Sequence, residues 1–191
     1  MARIAIFASG NGTNYQALAQ KFKDNPQHKV CLLICDKEQA FVLERAKKFG
    51  TPAELINYKM NTKPEVEARI LSLLKQYQIE IVFLAGFMRI LSPEFVQNVK
   101  IPFINIHPSL LPKYRGAHAI EQAFESNDDK IGISIHYVNE EVDGGQIILQ
   151  ESVPLRREAG IEEVENDIHA LEYRYYPEVA AQLCDELDKS K

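Results

Sequence analysis

Hydrophobic residues along the chain follow two alternating patterns that together predict an α/β fold. Near-continuous apolar runs predict strands at residues 4–8, 30–35, 79–85 and 103–106. Between these runs the apolar residues recur every three or four positions, as they do in helices with one buried face. Strands that are apolar on both sides belong in a sheet covered by helices on both faces. We therefore expect a doubly wound, mostly parallel sheet flanked by helices.

Local signals refine this expectation. Thr62 and Glu65 form a capping box before a helix over residues 63–77, and Ser92 followed by Pro93 begins a short helix that ends near residue 99. The chain is helical again from residue 161, where Pro177 predicts a kink or a restart.

After Gly132 the apolar and polar residues alternate up to residue 138, and a second apolar run covers 147–149. The turn 143–145, Asp-Gly-Gly, lies between the two runs. We expect a hairpin-like strand pair here, added to the sheet and followed by a terminal helix.

Composition excludes several classes of protein. Of the 191 residues, 46% are hydrophobic and 26% are charged, which is typical of a globular chain and not of a disordered one. The 22 Lys and Arg against 27 Asp and Glu give a net charge of −5, so we expect no nucleic-acid or membrane partner. No apolar run approaches the roughly 18–20 residues of a spanning helix. Three cysteines, an odd and sparse count, suit a reducing compartment and predict a cytoplasmic location.

The loop 9–14, Ser-Gly-Asn-Gly-Thr-Asn, lies between the first strand and a helix. Free N–H groups at a helix start, with glycines that allow close approach, are suited to a phosphate. The chain has no Gly-Lys-Ser/Thr motif, and Tyr15 stands where a dinucleotide fingerprint needs a small residue. The loop therefore favours a single phosphate, and a plain strand-to-helix turn is the alternative.

Two polar side chains, Asn105 and His107, lie at the carboxyl end of the strand predicted at 103–106. Because they are two residues apart, they point to the same side of the sheet. An imidazole can exchange a proton near pH 7, and a carboxamide can donate to a developing oxyanion. If the turn brought Asp143 to His107, its carboxylate would orient the ring and favour its charged form. The alternative is a structural role for all three residues.

The segment 86–92 follows the most apolar strand and places Arg89 among apolar neighbours. Apolar walls with one cation are suited to a flat heteroaromatic ligand with an anionic tail, and ordinary packing is the alternative. The spacing typical of metal ligands is found neither at Glu140 and Glu141 nor among the histidines other than His107. We therefore expect no metal site.

Four segments, 9–14, 84–93, 105–112 and 143–145, together resemble the phosphoribosylglycinamide formyltransferase family of the folate-dependent formyltransferase superfamily. The resemblance covers essentially the whole chain in order and spacing. Methionyl-tRNA formyltransferase carries a further C-terminal domain and formyltetrahydrofolate deformylase a further N-terminal one. We expect neither, and a single domain over residues 1–191. Its phosphate-binding half covers about residues 1–100, and its catalytic, folate-binding half covers about residues 80–191.

The resemblance implies roles for particular residues. The catalytic residues would be Asn105, His107 and Asp143. The ribonucleotide phosphate would bind at Gly12, Thr13 and Asn14, and its ribose at Glu172. The folate site would include Met88, Arg89, Ile90, Leu91, Asn105, Glu140, Glu141, Val142 and Asp143, with Lys63 in place of an arginine of the family.

The activity implied by the resemblance is transfer of a formyl group from 10-formyltetrahydrofolate, as co-substrate, to the amine of glycinamide ribonucleotide in purine biosynthesis. It requires no metal and only small-molecule partners, in a monomer or a homodimer. Two alternatives stay open: formyltetrahydrofolate deformylase, and a non-catalytic α/β module that binds a phosphate ligand.

Overall fold

The computed structural model describes residues 1–190, in which seven strands alternate with six helices along most of the chain. In chain order the elements are β1 (Ala2–Ala8), α1 (Thr13–Phe22), β2 (His28–Cys35), α2 (Val42–Phe49), β3 (Ala53–Leu55), α3 (Lys63–Gln76), β4 (Ile81–Leu84), α4 (Pro93–Asn98), β5 (Phe103–His107), α5 (Ala119–Glu125), β6 (Lys130–Tyr137), β7 (Ile147–Pro154) and α6 (Ile161–Lys189). The four strands predicted from apolar runs are all present. The hydrophobic pattern does not predict β3, which has only three residues.

The sheet has the strand order β3-β2-β1-β4-β5-β6-β7. Strands β1 to β5 are parallel, whereas β6 pairs antiparallel with β5 and β7 antiparallel with β6. The predicted doubly wound sheet and its added strand pair are therefore confirmed. The chain order reverses between β1 and β4, and in such sheets ligands bind beyond the carboxyl ends of the strands near that point.

Alternate residues of β1 enter two separate hydrophobic cores, one on each face of the sheet. Ile4 and Ile6 pack in the core that contains the buried faces of α1 and α6. Ala5 and Phe7 pack in the other core, against α3 and α4. Coverage on both faces explains why the parallel strands are apolar at nearly every position.

The predicted helix starts are confirmed by their caps. The backbone N–H of Thr62 donates to Oε2 of Glu65 at 2.8 Å, closing the capping box of α3. At α4, Oγ of Ser92 accepts the backbone N–H of Phe95 at 3.1 Å. Because both caps satisfy N–H groups without intrahelical partners, the two helices begin where the sequence predicts.

Helix α6 runs without a break through Pro177, so the predicted restart of the helix is wrong. The hydroxyl of the neighbouring Tyr176, which is fully buried, donates to the backbone oxygens of Leu84 and Ile104 at 2.9 and 3.1 Å. Packing of this helix face over β4 and β5 offsets the loss of the backbone hydrogen bond that a proline cannot donate.

Candidate active site

Strand β5 places Asn105 and His107 on one side at its carboxyl end, and the turn after β6 brings Asp143 to both. Nδ2 of Asn105 donates to Oδ1 of Asp143 at 3.3 Å. Nδ1 of His107 lies 3.4 Å from Oδ2 of the same carboxylate. The structure thus brings the three predicted catalytic side chains into one cluster.

Asp143 reaches this position through an unusual backbone conformation. Its φ is +51°, in the left-handed region that residues other than glycine rarely adopt. Its Oδ2 accepts the backbone N–H of Gly116 at 2.8 Å. Burial acts to raise the pKa of Asp143. Hydrogen bonds from His136 and Gly116 and the nearby histidine charges outweigh it, so the pKa lies below its ordinary value. The group is therefore an ionised carboxylate at neutral pH.

His107 has an oxygen acceptor facing each of its ring nitrogens. Nε2 lies 2.7 Å from the backbone oxygen of Tyr114, which can only accept, so this nitrogen carries a proton. Nδ1 faces Asp143. Both ring nitrogens therefore face oxygen acceptors, and a ring with a proton on each nitrogen can stabilise negative charge and supply a proton.

A second buried histidine, His136, belongs to the cluster and was not predicted as a site residue. It lies opposite Asn105 in the β5–β6 pairing. Its Nδ1 donates to the backbone oxygen of Tyr137 at 2.8 Å, and its Nε2 lies 3.2 Å from Nδ2 of Asn105 and 3.5 Å from Oδ1 of Asp143. In the sequence, the signal for this residue is a histidine at an inward-facing position of a strand in which apolar and polar residues alternate. The signal is weak because such histidines are often structural.

The loop after β1 forms the predicted helix N-terminus. Gly12 precedes α1 with a φ of +78°, and its oxygen accepts the N–H of Gln16 at 2.9 Å. Arg45 from α2 donates to the backbone oxygen and to Oδ1 of Asn11, both at 2.8 Å. This arginine holds the loop and places a cation beside it. The local pattern does not single it out, because it lies 34 residues away on a helix.

Asn14 and Glu172 meet although they are 158 residues apart. Nδ2 of Asn14 donates to Oε2 of Glu172 at 3.0 Å, and Oδ1 of Asn14 is buried without a partner. Burial raises the pKa of Glu172, while the hydrogen bond from Asn14 and the charge of His169 act in the opposite direction. The predicted phosphate and ribose residues, including the intervening Thr13, therefore lie in one region.

The segment after β4 contacts side chains from three other loops. The N–H of Met88 donates to Oγ of Ser9 at 2.8 Å. Nε of Arg89 donates to the buried carboxylate of Asp36 at 2.6 Å, and its guanidinium lies 4.7 Å from the centre of the Tyr58 ring. Arg89 is thus already paired, which differs from the expectation of an arginine available for an anionic ligand.

The apolar side chains of the same segment face outward. Met88 is 70% exposed and Ile90 is 65% exposed, while Leu91 is half-buried against the core under α3. Lys63 is exposed at the start of α3 and makes no ion pair with another described residue. Two large exposed apolar side chains beside a polar cluster are typical of a surface that a ligand covers.

The turn between β6 and β7 carries the remaining predicted folate residues. The N–H of Gly144 donates to the backbone oxygen of Glu141 at 3.0 Å, and the Glu141 carboxylate pairs with Arg115. Glu140 and Val142 are exposed. This turn therefore lines the outer side of the cluster with backbone groups and one apolar side chain.

Two further observations concern ligands and membranes. Within residues 1–190, no group of three or more His, Cys, Asp or Glu side chains could hold a metal ion. Among the helices of this same range, none is both long and apolar enough to cross a membrane. The predicted independence of a metal stays a prediction.

Fold and site together define a doubly wound α/β enzyme with an amide, an imidazole and a carboxylate gathered at the carboxyl end of β5. The model of the formyl transferase family matches residues 2–180. A phosphoribosylglycinamide formyltransferase from Bacillus subtilis (strain 168) is 40% identical over 185 residues, which are 96% of this chain and 95% of that protein. The corresponding Escherichia coli (strain K12) enzyme is 38% identical over 184 residues, covering 95% of this chain and 87% of that protein.

Solved structures agree with these relatives. Glycinamide ribonucleotide transformylase 1 from Geobacillus kaustophilus has a TM-score of 0.91 at 39% identity and covers 96% of this chain and 99% of that chain. The enzyme from Streptococcus pneumoniae TIGR4 has a TM-score of 0.89 at 40% identity, with the same coverage. The chain belongs to the formyl transferase family and, within it, to the phosphoribosylglycinamide formyltransferases.

Proposed function

We propose that the protein transfers a formyl group from 10-formyltetrahydrofolate to the amine of phosphoribosylglycinamide. The observation that carries this proposal is the contact of Asp143 with both Asn105 and His107 at the carboxyl end of β5. Family membership supplies the class of reaction, and the cluster supplies the groups that it needs. A folate-type co-substrate follows from the family. The formylated form is part of the proposal.

The ribonucleotide would bind along the N-terminus of α1. The N–H groups at Gly12, Thr13 and Asn14 are the donors for its phosphate, and the helix dipole favours the negative charge. The Glu172 carboxylate, held by Asn14, accepts from a ribose hydroxyl. This arrangement directs the amine at the other end of the ligand towards the strand-end cluster.

The folate fits the surface made by the segment 88–91 and the turn 140–143. Exposed Met88, Ile90 and Val142 supply apolar contact to a flat ring, and free backbone groups of the turn supply hydrogen bonds to its edge. Lys63 is a candidate for the anionic tail, since no other described residue pairs with it. Bound 10-formyltetrahydrofolate supplies the formyl group.

Asn105, His107 and Asp143 have different roles in the proposed reaction. Nδ2 of Asn105 and a protonated Nδ1 of His107 donate to the oxygen that gains negative charge as the amine attacks the formyl carbon. Asp143 holds the His107 ring in place and is the nearest carboxylate to accept the proton that the attacking amine loses. His107 returns a proton to the departing nitrogen, so the pair carries out the proton exchange of the transfer.

The first experiment is a formyl-transfer assay of the purified protein with 10-formyltetrahydrofolate, with and without phosphoribosylglycinamide, following both formylated product and free formate. Product that depends on the ribonucleotide is the expected result. Formate release without acceptor would instead identify a deformylase, and ligand binding without turnover would identify a non-catalytic module. In the same assay His107→Ala should lower kcat by about 100-fold or more.

Three further features stay predictions that follow from this function. They are the division into a phosphate-binding half and a catalytic half, the monomer or homodimer, and the cytoplasmic location. Small molecules are its expected ligands, as they are the substrates of the enzymes it resembles.

A further inference from the structure

Tyr114 has a strained backbone that aims its carbonyl oxygen at the candidate catalytic histidine. Its φ is +56°, in the left-handed region that residues with a side chain rarely adopt. The oxygen of Tyr114 accepts the Nε2 proton of His107 at 2.7 Å. A strained residue in direct contact with a site needs an anchor, because the surrounding structure must hold the conformation.

The anchor is the hydroxyl at the other end of the same residue. It donates to Oδ2 of Asp128 at 2.9 Å. Lys113 donates to both oxygens of this carboxylate, at 2.7 and 2.8 Å. The hydrogen bond from Lys113, followed by that from Tyr114, lowers the pKa of Asp128 below its ordinary value. Tyr114 is therefore tied to a charged acceptor, which makes the stronger kind of hydrogen bond.

Asp128 is in turn held by the backbone around it. Arg157 donates to the backbone oxygens of Ser126 and Asp128, at 2.5 and 2.8 Å. The N–H of Asp128 donates to Oγ of Ser126 at 3.1 Å. On the other side, Oγ of the buried Ser109 donates to the oxygen of Lys113 at 2.6 Å. The Tyr114 turn is thus fastened at both ends to ordered parts of the fold.

We propose that Tyr114 and Asp128 are positioning residues for His107, acting through the Tyr114 carbonyl. This inference rests on the role of His107 in the proposed function. The carbonyl keeps a proton on Nε2, so the nitrogen that gains and loses a proton is Nδ1, which faces Asp143. Without the Asp128 anchor the turn relaxes, the carbonyl leaves Nε2, and the neutral ring takes up both tautomers.

The test compares Tyr114→Phe and Asp128→Asn with the parent protein in the formyl-transfer assay. Tyr114→Phe removes only the anchoring hydroxyl. We expect kcat to fall about tenfold in Tyr114→Phe, because the hydrogen bond to the charged carboxylate that anchors the turn is lost. The KM of both substrates should stay within twofold, since neither residue is placed in a binding surface.

The matched control is Asp167→Asn. Asp167 also pairs with a cation, Arg156, and its side chain is 26% exposed against 28% for Asp128. It lies outside the candidate site, so its substitution should leave kcat unchanged. A loss of the same size in all three variants would assign the effect to general stability and overturn the inference.

A spectroscopic readout separates positioning from folding. The ring ¹⁵N resonances of histidine-labelled protein report the tautomer, and a His107→Gln variant identifies the His107 signals among the five histidines. In the parent, neutral His107 should carry its proton on Nε2, and Tyr114→Phe should give a mixture of tautomers. Unchanged resonances together with unchanged kcat would contradict the proposal. The proposed function would stand in that case as long as His107→Ala lowers kcat by about 100-fold or more.

Discussion

The side-chain amide of Asn14 donates a 3.0 Å hydrogen bond to the buried carboxylate of Glu172. This contact joins the N-terminus of α1 to the middle of α6, and therefore joins the candidate phosphate and ribose positions. Burial raises the pKa of Glu172, so keeping its carboxylate ionised in the fold costs stability at neutral pH. Such a cost is typical of a group retained for binding.

Glu172→Gln should stabilise the fold and weaken ribonucleotide binding. A carboxyl group with a raised folded pKa contributes most below its unfolded pKa of about 4.3, and this contribution is lost as the pH rises through the folded pKa. The melting temperature of the variant should therefore match that of the parent near pH 4. At pH 8 the melting temperature of the variant should exceed that of the parent by about 2–4 °C, which corresponds to about 1 kcal/mol in the free energy of unfolding.

The same variant should raise the KM of phosphoribosylglycinamide about tenfold, because a charged acceptor for a hydroxyl is lost. Thermal unfolding at several pH values and steady-state kinetics check the two effects. A variant that is less stable at pH 8 would contradict the assigned cost of burial, and an unchanged KM would remove Glu172 from the ribonucleotide site.

Gly12→Ala should disrupt the phosphate loop. A Cβ at this position would lie 2.4 Å from Cγ2 of Val42, and the φ of +78° strains any residue with a side chain. We expect a loss of about 1–3 kcal/mol in the free energy of unfolding and a higher KM for the ribonucleotide. Gly10→Ala is the control, because nothing lies within 4 Å of its added Cβ. Equal effects of the two substitutions would show that the close approach at Gly12 is unimportant.

Asp143→Asn tests the carboxylate without altering the backbone, since asparagine tolerates a positive φ better than most residues. Because His107 loses its charged partner, kcat should fall by about 100-fold or more, with much smaller changes in KM. Steady-state kinetics check this expectation. If the variant retained more than half the parent kcat, Asp143 would be excluded from the proton exchange.

The stability of Asp143→Asn should also depend on pH. A depressed pKa contributes stability that is present above the unfolded value of about 3.9 and is lost as the pH falls through the lower folded value. Urea unfolding should show the variant about 1 kcal/mol less stable than the parent at pH 7. This difference should shrink below about pH 4.

Arg89→Ala should act on stability as well as on the folate KM. The substitution leaves the Asp36 carboxylate buried without its cation. Because Arg89 is itself 38% exposed, solvent weakens the pair, and we expect a loss of about 1–2 kcal/mol in the free energy of unfolding. The folate KM should rise as the segment 88–91 loses its anchor.

The double variant Asp36→Asn/Arg89→Ala separates these effects, since it removes the buried charge together with its partner. Most of the lost stability should return, while the folate KM stays raised. If chemical unfolding shows no recovery, the loss comes from the packing of Arg89 over Tyr58 and not from the unpaired carboxylate.

The sequence could predict much of the fold because its signals are local. Buried parallel strands are apolar at nearly every position, and the caps at Thr62 and Ser92 satisfy N–H groups within a few residues. Strand β3 escapes prediction because its three residues, two exposed and one half-buried, carry no hydrophobic pattern. The wrong restart at Pro177 has the opposite origin, because the packing of α6 overrides a local preference.

The candidate site likewise combines features that local sequence predicts with features that depend on tertiary packing. Spacing along β5 places Asn105 and His107 on one side, and the glycines after Asp143 predict a turn. Only the tertiary structure brings Asp143 to His107, pairs Arg89 with Asp36, and ties Tyr114 to Asp128.

The chain by itself therefore determined the class of fold, the strand-end residue types and the resemblance to formyltransferases. All of these depend on patterns within a few residues or on motifs in order along the chain. The partners of the charged groups in the candidate site were decided by the tertiary structure. The physical reason is that an ion pair or hydrogen bond between residues tens of positions apart depends on how helices and loops pack across the sheet, and spacing in the sequence carries no record of that packing.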